Sequence, residues 1–371
     1  MNRPKFIFTC LFFLLLTNLA SFAQTRKEIK IPNILGYKTL KCDFQTHSIF
    51  SDGDVWPTVR IQEAWREGLD VISITDPIEY QPHSQQVQAD HNQAYEIAKP
   101  LAEQYGIILL KGAEIYRQMP PGHLNVLFLK NANLLERENW WEACVEAQEQ
   151  GAFLFWSNPE KESILSGGTA WYPEHTRLLN AGILKGIEIY NHDSYFPTAR
   201  RWADEKTLTI MAGSRLLGPS GLEFPDRHRP LTLVFSTEKT ETGVKNALLD
   251  HRTAVYFNDT IIGERRFLSP IFISSIEIQT KNIRLKNQEI RQVMIHNNSD
   301  ITFLLQRRQP SVGFSGPSEM ILEAHSTVAV ELTGTSDEVS QMSVLRMFYE
   351  ISNLITIKGE KLPVNLEIPN L

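Results

Sequence analysis

From Thr39 to about Phe257 the chain alternates short β-rich runs with amphipathic stretches, and this rhythm restricts the fold more than any other feature. Strand-like runs cover 39–44, 71–75, 107–115, 124–129, 153–157, 186–190, 209–213 and 231–235. Helical stretches lie between several of them, at 57–67, 90–104, 138–150, 197–205 and 241–250. Pro57 and Pro197 stand where a first-turn proline is tolerated. Gly68, Gly106 and Gly151 follow three of the helices, as C-terminal caps do. Short strands alternating with helices imply parallel βα units, and seven or eight of them imply a closed or distorted barrel.

After about Phe267 the pattern changes to strand-like pieces at 274–279, 289–296, 301–306, 319–323, 327–333 and 354–358, separated by turn signals such as Asn297-Asn298-Ser299. About a hundred residues of this kind read as a small β-sandwich. The stretch 339–353 has an ambiguous, helix-like pattern. The fold class expected is therefore α/β: a distorted βα barrel over 31–264, followed by a small C-terminal β-sandwich over 265–371.

Residues 1–23 carry a different signal. Arg3 and Lys5 precede an apolar run from Phe6 to Leu16, and Ser21-Phe22-Ala23 forms a small-x-small cleavage pattern. This reads as a secretory signal peptide, which makes the protein exported, periplasmic or extracellular. No later apolar run reaches membrane-spanning length, so no membrane span is expected in the mature chain. The formal net charge is −6 and becomes more negative without the leader. With no long basic runs, binding to a nucleic-acid backbone is not expected. Cys42 and Cys144 remain after the leader; two cysteines make no disulfide framework and no CxxC spacing, and both read as small core residues.

In parallel barrels chemistry collects at the C-terminal ends of the strands. Here these ends carry His47, Asp76, Glu114, Asn158, Glu188 with Asn191, and Arg215. A polar group at nearly every strand end argues for a site.

The order of these groups resembles the polymerase-and-histidinol-phosphatase (PHP) superfamily over roughly Thr39 to Phe257. Its first motif is similar to the segment from Asp43 to Gly53, with Gln45 in place of the first His of a His-x-His pair and His47 as the second. Ile74-Thr75-Asp76-Pro77 resembles a Thr-Asp-His motif, and Lys111-Gly112-Ala113-Glu114 one that supplies a bridging acid. His123 in Pro120-Pro121-Gly122-His123 resembles the His that follows that acid. Asn158-Pro159 resembles a His-Pro motif, and Ser214-Arg215-Leu216-Leu217 resembles Ser-Asp-x-His. The nearest branch in appearance is the secreted PHP-family phosphodiesterases. The resemblance implies a metal-dependent phosphoric ester hydrolase with two or three divalent ions, zinc, manganese or iron, which activate water and hold phosphate oxygens.

Carried over position by position, His47, Asp52, Glu114 and His123 match metal ligands, whereas Gln45, Pro77, Asn158, Arg215 and Leu217 stand where ligands are lost. Pro77 and Leu217 have no donor atom. Arg215 stays protonated and repels a cation. Catalytic zinc takes three protein ligands, and the remaining ones divide among several ion sites. The expectation is a relative with lost or weakened catalysis that binds a small anionic, phosphate-ester-like ligand; an active phosphodiesterase or phosphomonoesterase using a reduced metal set is the alternative. Glu114, His47 and Arg215 are the groups expected to carry whatever chemistry remains. Arg215 is expected to place a fixed cation near Asp52 or Glu114, where an ion's charge once sat. Blander readings stand beside these: His47 as a core histidine, Glu114 in an ion pair with Arg117 or Arg215, Asp52 as a turn residue, His123 as a loop cap, and His83 and His91 as solvent-facing.

Overall fold

The computed structural model describes residues 25–87, 90–160, 170–280 and 283–370, so the leader expected at 1–23 lies outside the described residues. The first unit contains β1 (Lys38–Thr46), α1 (Pro57–Arg66), β2 (Val71–Ile74), α2 (Gln93–Tyr105), β3 (Ile108–Tyr116), β4 (His123–Leu127), α3 (Trp140–Glu149) and β5 (Phe153–Ser157). It continues with α4 (Pro173–Asn180), β6 (Leu184–Asn191), β7 (Ser194–Tyr195), α5 (Pro197–Lys206), β8 (Thr209–Gly213), α6 (Ser220–Glu223), β9 (Leu231–Ser236), α7 (Glu241–Leu249), β10 (Thr253–Phe257), β11 (Thr260–Gly263) and α8 (Arg265–Ser275).

The strands run around a distorted barrel in the order β9-β1-β2-β3-β4-β5-β6-β8. The parallel pairing expected throughout holds for β1–β2, β2–β3, β5–β6 and β6–β8, whereas β1–β9, β3–β4 and β4–β5 are antiparallel. The link from β3 to β4 spans only 117–122, too short for a crossover, so β4 folds back as a hairpin. This puts His123, the first residue of β4, opposite Tyr116 and beside the C-terminal end of β3. Between β8 and its neighbours the barrel closes through hydroxyls. Thr232 on β9 accepts the Ala212 N–H at 2.9 Å and donates to the Ala212 carbonyl at 3.0 Å, and Thr253 on β10 donates to Ile210 at 2.9 Å. At the mouth, Arg215 N–H reaches the Gln45 carbonyl at 2.9 Å and His47 N–H the Leu216 carbonyl at 3.0 Å.

An apolar layer of Leu40, Cys42, Phe44, Leu110, Phe153, Phe155, Met211 and Val234 packs together with Val244 and Leu248 of α7. Cys42 thus sits in this core as expected, and Cys144 is buried in the neighbouring core around α3.

The remaining strands are β12 (Ile276–Ile278), β13 (Ile290–Asn297), β14 (Phe303–Gln309), β15 (Phe314–Ser315), β16 (Glu319–Leu322), β17 (Thr327–Gly334), β18 (Val344–Thr356) and β19 (Lys361–Pro369). They form two sheets, β16-β14-β18-β19 and β12-β13-β17-β15. The stretch 339–353, read as ambiguous and helix-like, is largely strand: from Leu345 the buried residues Met347, Tyr349 and Ile351 recur at period two. β18 also pairs in parallel with β11, so the first sheet continues the barrel's strand order through main-chain hydrogen bonds. One apolar cluster runs from Leu233 and Phe235 through Phe267, Leu268 and Phe272 of α8 to Val293 and Leu345. No described helix is long and apolar enough to cross a membrane.

Candidate functional site

Three residues at or just past strand ends, Asn158 after β5, His192 after β6 and Arg215 two residues past β8, have positive φ of 49°, 50° and 48°. A left-handed backbone costs an L-residue about 1–2 kcal/mol, and such strain collects where a side chain must be aimed. These turns redirect the chain at the strand ends where the mouth is built.

A continuous polar chain crosses the mouth. Arg215 Nη2 lies 3.9 Å from Asp52 Oδ2. Asp52 Oδ1 is 2.6 Å from His47 Nδ1, and His47 Nε2 is 3.3 Å from Glu114 Oε2. Glu114 Oε1 is 2.8 Å from His123 Nδ1. His47 and Glu114 are fully buried. Burial by itself would lower the His47 pKa, but hydrogen bonding to Asp52 and Glu114 outweighs it and pushes it up to about 9. Burial would raise Glu114, yet His123 and His47 hold it down to about 2. The structure therefore brings together all five residues singled out from the sequence: His47, Asp52, Glu114, His123 and Arg215.

A second net links Gln45, Ser157, Glu188 and Asn191. Gln45 Nε2 donates to Ser157 Oγ at 2.8 Å, and Gln45 Oε1 accepts from Asn191 Nδ2 at 2.5 Å. Glu188 Oε2 accepts from Ser157 Oγ at 2.8 Å, Asn158 N–H at 3.0 Å and Asn191 Nδ2 at 2.9 Å. Burial pushes Glu188 up to about 8 despite these donors. Gly213 leaves the room this net needs, because a Cβ there would meet Glu188 Oε1 at 2.3 Å and Gln45 Oε1 at 2.8 Å.

Several polar residues have other duties. Asp76 accepts Ser48 N–H at 2.7 Å, Ser48 Oγ at 2.6 Å and the Ser51 hydroxyl, so it pins the loop after β1. Asp43 holds Ser214 Oγ at 2.5 Å and Arg229 at 3.0 Å. His91 turns to Gln81 at 3.0 Å. Arg117 pairs with Glu79 at 2.9 Å rather than with Glu114. Trp156 is buried against His175, with centroids 3.6 Å apart.

Sequence reasoning missed two contributors. Asn125 on β4 stands opposite Glu114 in the ladder and is fully buried, with neither amide atom partnered among the described residues. Its only signal was a polar residue inside the apolar run Leu124-Asn125-Val126. Arg60 on α1, also fully buried, donates to the carbonyls of His47 at 2.7 Å, Leu216 at 2.9 Å, Leu217 at 2.7 Å and Gly218 at 2.8 Å. From the other side Glu223 accepts the N–H groups of Leu217 at 3.0 Å and Gly218 at 2.6 Å. The loop that follows Arg215 is thus clamped on both its donors and its acceptors.

Two donors, His47 Nε2 and Glu114 Oε2, have the separation of two ligands of one tetrahedral ion, since bonds near 2.0–2.1 Å place ligands about 3.3–3.4 Å apart. The opposite half does not fit an ion: the Gln45 oxygen is already taken, and Pro77 and Leu217 bring no donor. Among the described residues no group of three or more His, Cys, Asp and Glu side chains is disposed to hold a metal ion. A multi-ion cluster therefore does not fit this donor set.

Residues 276–367 match the model of an Ig-like domain family. A search of curated proteins finds no match. Among solved structures the chain is similar to a two-domain protein from Bacteroides vulgatus containing a predicted PHP-like metal-dependent phosphoesterase. That likeness has 37% identity and a TM-score of 0.86, and covers 93% of this chain and 100% of that one. A protein from Bifidobacterium adolescentis described as a metal-dependent phosphoesterase matches at 13% identity and TM-score 0.37, over 48% of this chain and 88% of that one. An amidohydrolase from Chromobacterium violaceum matches at 15% identity and TM-score 0.37 over the same shares.

Proposed function

The chain belongs to the two-domain PHP-like proteins related to metal-dependent phosphoesterases, and from that premise we propose that it is an exported relative that binds a small anionic, phosphate-ester-like ligand at the barrel mouth, with hydrolysis lost or greatly reduced. The observation that carries this reading is the guanidinium of Arg215 beside Asp52, at 3.9 Å. A fixed cation there supplies part of the charge an ion supplies in a metal-dependent relative, and it does so on a left-handed residue whose loop is clamped by Arg60 and Glu223. Arg215 is about one-fifth exposed, so it meets solvent and a ligand while still facing the carboxylate. Guanidinium suits phosphate and carboxylate oxygens through its planar fork of donors. In this reading His47, between Asp52 and Glu114, offsets negative charge that these carboxylates would otherwise turn toward an anion.

A second reading rests on one distance. His47 Nε2 and Glu114 Oε2, 3.3 Å apart, suit two ligands of a single ion, and a reduced metal site would then support weak phosphoester hydrolysis. Elemental mass spectrometry after incubation with zinc, manganese and iron separates the two. The first reading expects no tightly held ion, phosphate binding by the metal-free protein, and loss of that binding in Arg215→Asp. One or more tightly held ions per chain, or phosphate binding untouched by Arg215→Asp, overturns it.

A further inference from the structure

The lip of the mouth beside β2 and β3 is built around aromatic rings. Pro77 offers no donor atom; its backbone bridges to Glu114 and Ile78 N–H donates to the Glu114 carbonyl at 2.9 Å. Glu79 then ties this loop to the end of β3. Its Oε2 accepts the Tyr116 N–H at 2.7 Å and its Oε1 meets Arg117 at 2.9 Å. Two tyrosines emerge from the joint. Tyr80 is 48% exposed and Tyr116 39%, and their rings stack at 6.3 Å with 26° between planes. Tyr116 also meets the His123 ring edge-on at 4.2 Å.

From Tyr116 inward the contacts continue through His123, Glu114, His47 and Asp52 to Arg215. The mouth is therefore polarised, with a guanidinium at one end and an exposed aromatic shelf at the other. Tyr116 is held through its N–H by Glu79, and its ring lies between those of Tyr80 and His123. Rigid aromatic side chains lose little entropy when a flat group lies against them. A ligand with a flat ring and an anionic head matches both ends.

Resting on the reading of the mouth as an anion site, we propose that Tyr80 and Tyr116 form a subsite for a planar ring, so that the ligand is an anionic ester of an aromatic or other flat-ring alcohol.

Two phosphonates test this, because neither can be hydrolysed at a P–O–C bond: phenylphosphonate carries the ring and methylphosphonate lacks it. Titration calorimetry on the full mature chain is expected to give about tenfold tighter binding of phenylphosphonate, the size of effect one ring contact supplies. Tyr80→Ala and Tyr116→Ala should each cut that preference severalfold, and Tyr116→Phe should keep it. Arg215→Ala should weaken both phosphonates together. Equal affinity for the two in the unaltered protein, or a preference that survives both alanine changes, overturns the ring subsite while leaving the anion site standing. Failure of both phosphonates to bind overturns the anion site itself, and the subsite with it.

Discussion

Replacing Arg60 with methionine tests whether one buried guanidinium holds the mouth together. The side chain is fully buried and donates to four carbonyls and to Glu63 Oε2 at 2.8 Å. Methionine keeps the apolar stem and removes every donor. Charged hydrogen bonds are worth about 1.5–3 kcal/mol each, but these five share one desolvation cost and do not add. Removing one partner of a buried ion pair costs about 3–5 kcal/mol, and the carbonyls of 216–218 lie near the rim, where water can reach part of the loss. We expect about 4 kcal/mol of destabilisation. That is a large share of a typical folding free energy of about 5–15 kcal/mol, so the variant should still fold, with its urea midpoint lowered by at least about 1 M. Because the freed carbonyls belong to the loops carrying His47 and following Arg215, phosphate binding in the absence of urea should fall more than about tenfold. Arg60→Lys should lie between, since a single ammonium has three donors and no planar fork. A midpoint shift below about 0.3 M, or unchanged phosphate binding, would refute the clamp.

Two further substitutions probe the buried acids. Glu188 has its pKa pushed up to about 8, so the unfolded chain ionises first as pH rises. Its stabilising contribution is complete below about pH 4.5 and is lost between there and 8, on the order of 3 kcal/mol by pH 7. Glu188→Gln keeps an oxygen for the three donors and cannot ionise. It should be more stable than the unaltered protein at pH 7 and close to it at pH 4.5 by thermal unfolding; a difference that does not vary with pH rules out the neutral acid. Glu114→Gln should reduce stability or anion binding more than turnover, because the amide cannot serve as the anion between His47 and His123; a large loss of genuine phosphodiesterase turnover would contradict the reading of weakened catalysis.

The strand positions were legible because apolar runs with β-branched residues are a local signal, and because His47, Glu114, Asn158 and Arg215 all sit at strand ends. Strand direction was less so. Nothing in 123–127 distinguishes an antiparallel strand from a parallel one; the short 117–122 link decides it, and that link also sets His123 against Glu114. The 339–353 stretch misled because polar and apolar residues near Ser340 to Ser343 blur the two periods, whereas from Leu345 the alternation is clean. Helices α4 and α8 were not anticipated, α8 because Arg265-Arg266 precede the apolar pattern of Phe267, Leu268, Ile271 and Phe272. Within the site, residue type did not reveal partner choice. Asp76 has the same chemistry as Asp52, yet it binds the Ser48 and Ser51 hydroxyls while Asp52 binds His47 and Arg215.

The positions that depart from the resembled motifs differ in how their side chains are used. Random loss of a ligand would leave the substitute without a partner, since a buried polar group unpaired costs about 1–3 kcal/mol. Gln45 has both amide atoms paired, to Ser157 and Asn191, whereas Asn158 reaches Glu188 through its backbone N–H, which any residue there would supply. Arg215 meets a carboxylate, and Pro77 fixes the loop that presents Tyr80. Buried polar atoms without a hydrogen-bond partner among the described residues include Asn125 Nδ2 and Oδ1, Asn158 Oδ1 and Glu188 Oε1. All four belong to residues at the mouth or on the strands directly beneath it. In the reading proposed above, the pairing of Gln45 and the Arg215–Asp52 contact suit the mouth to an anion held by a fixed cation.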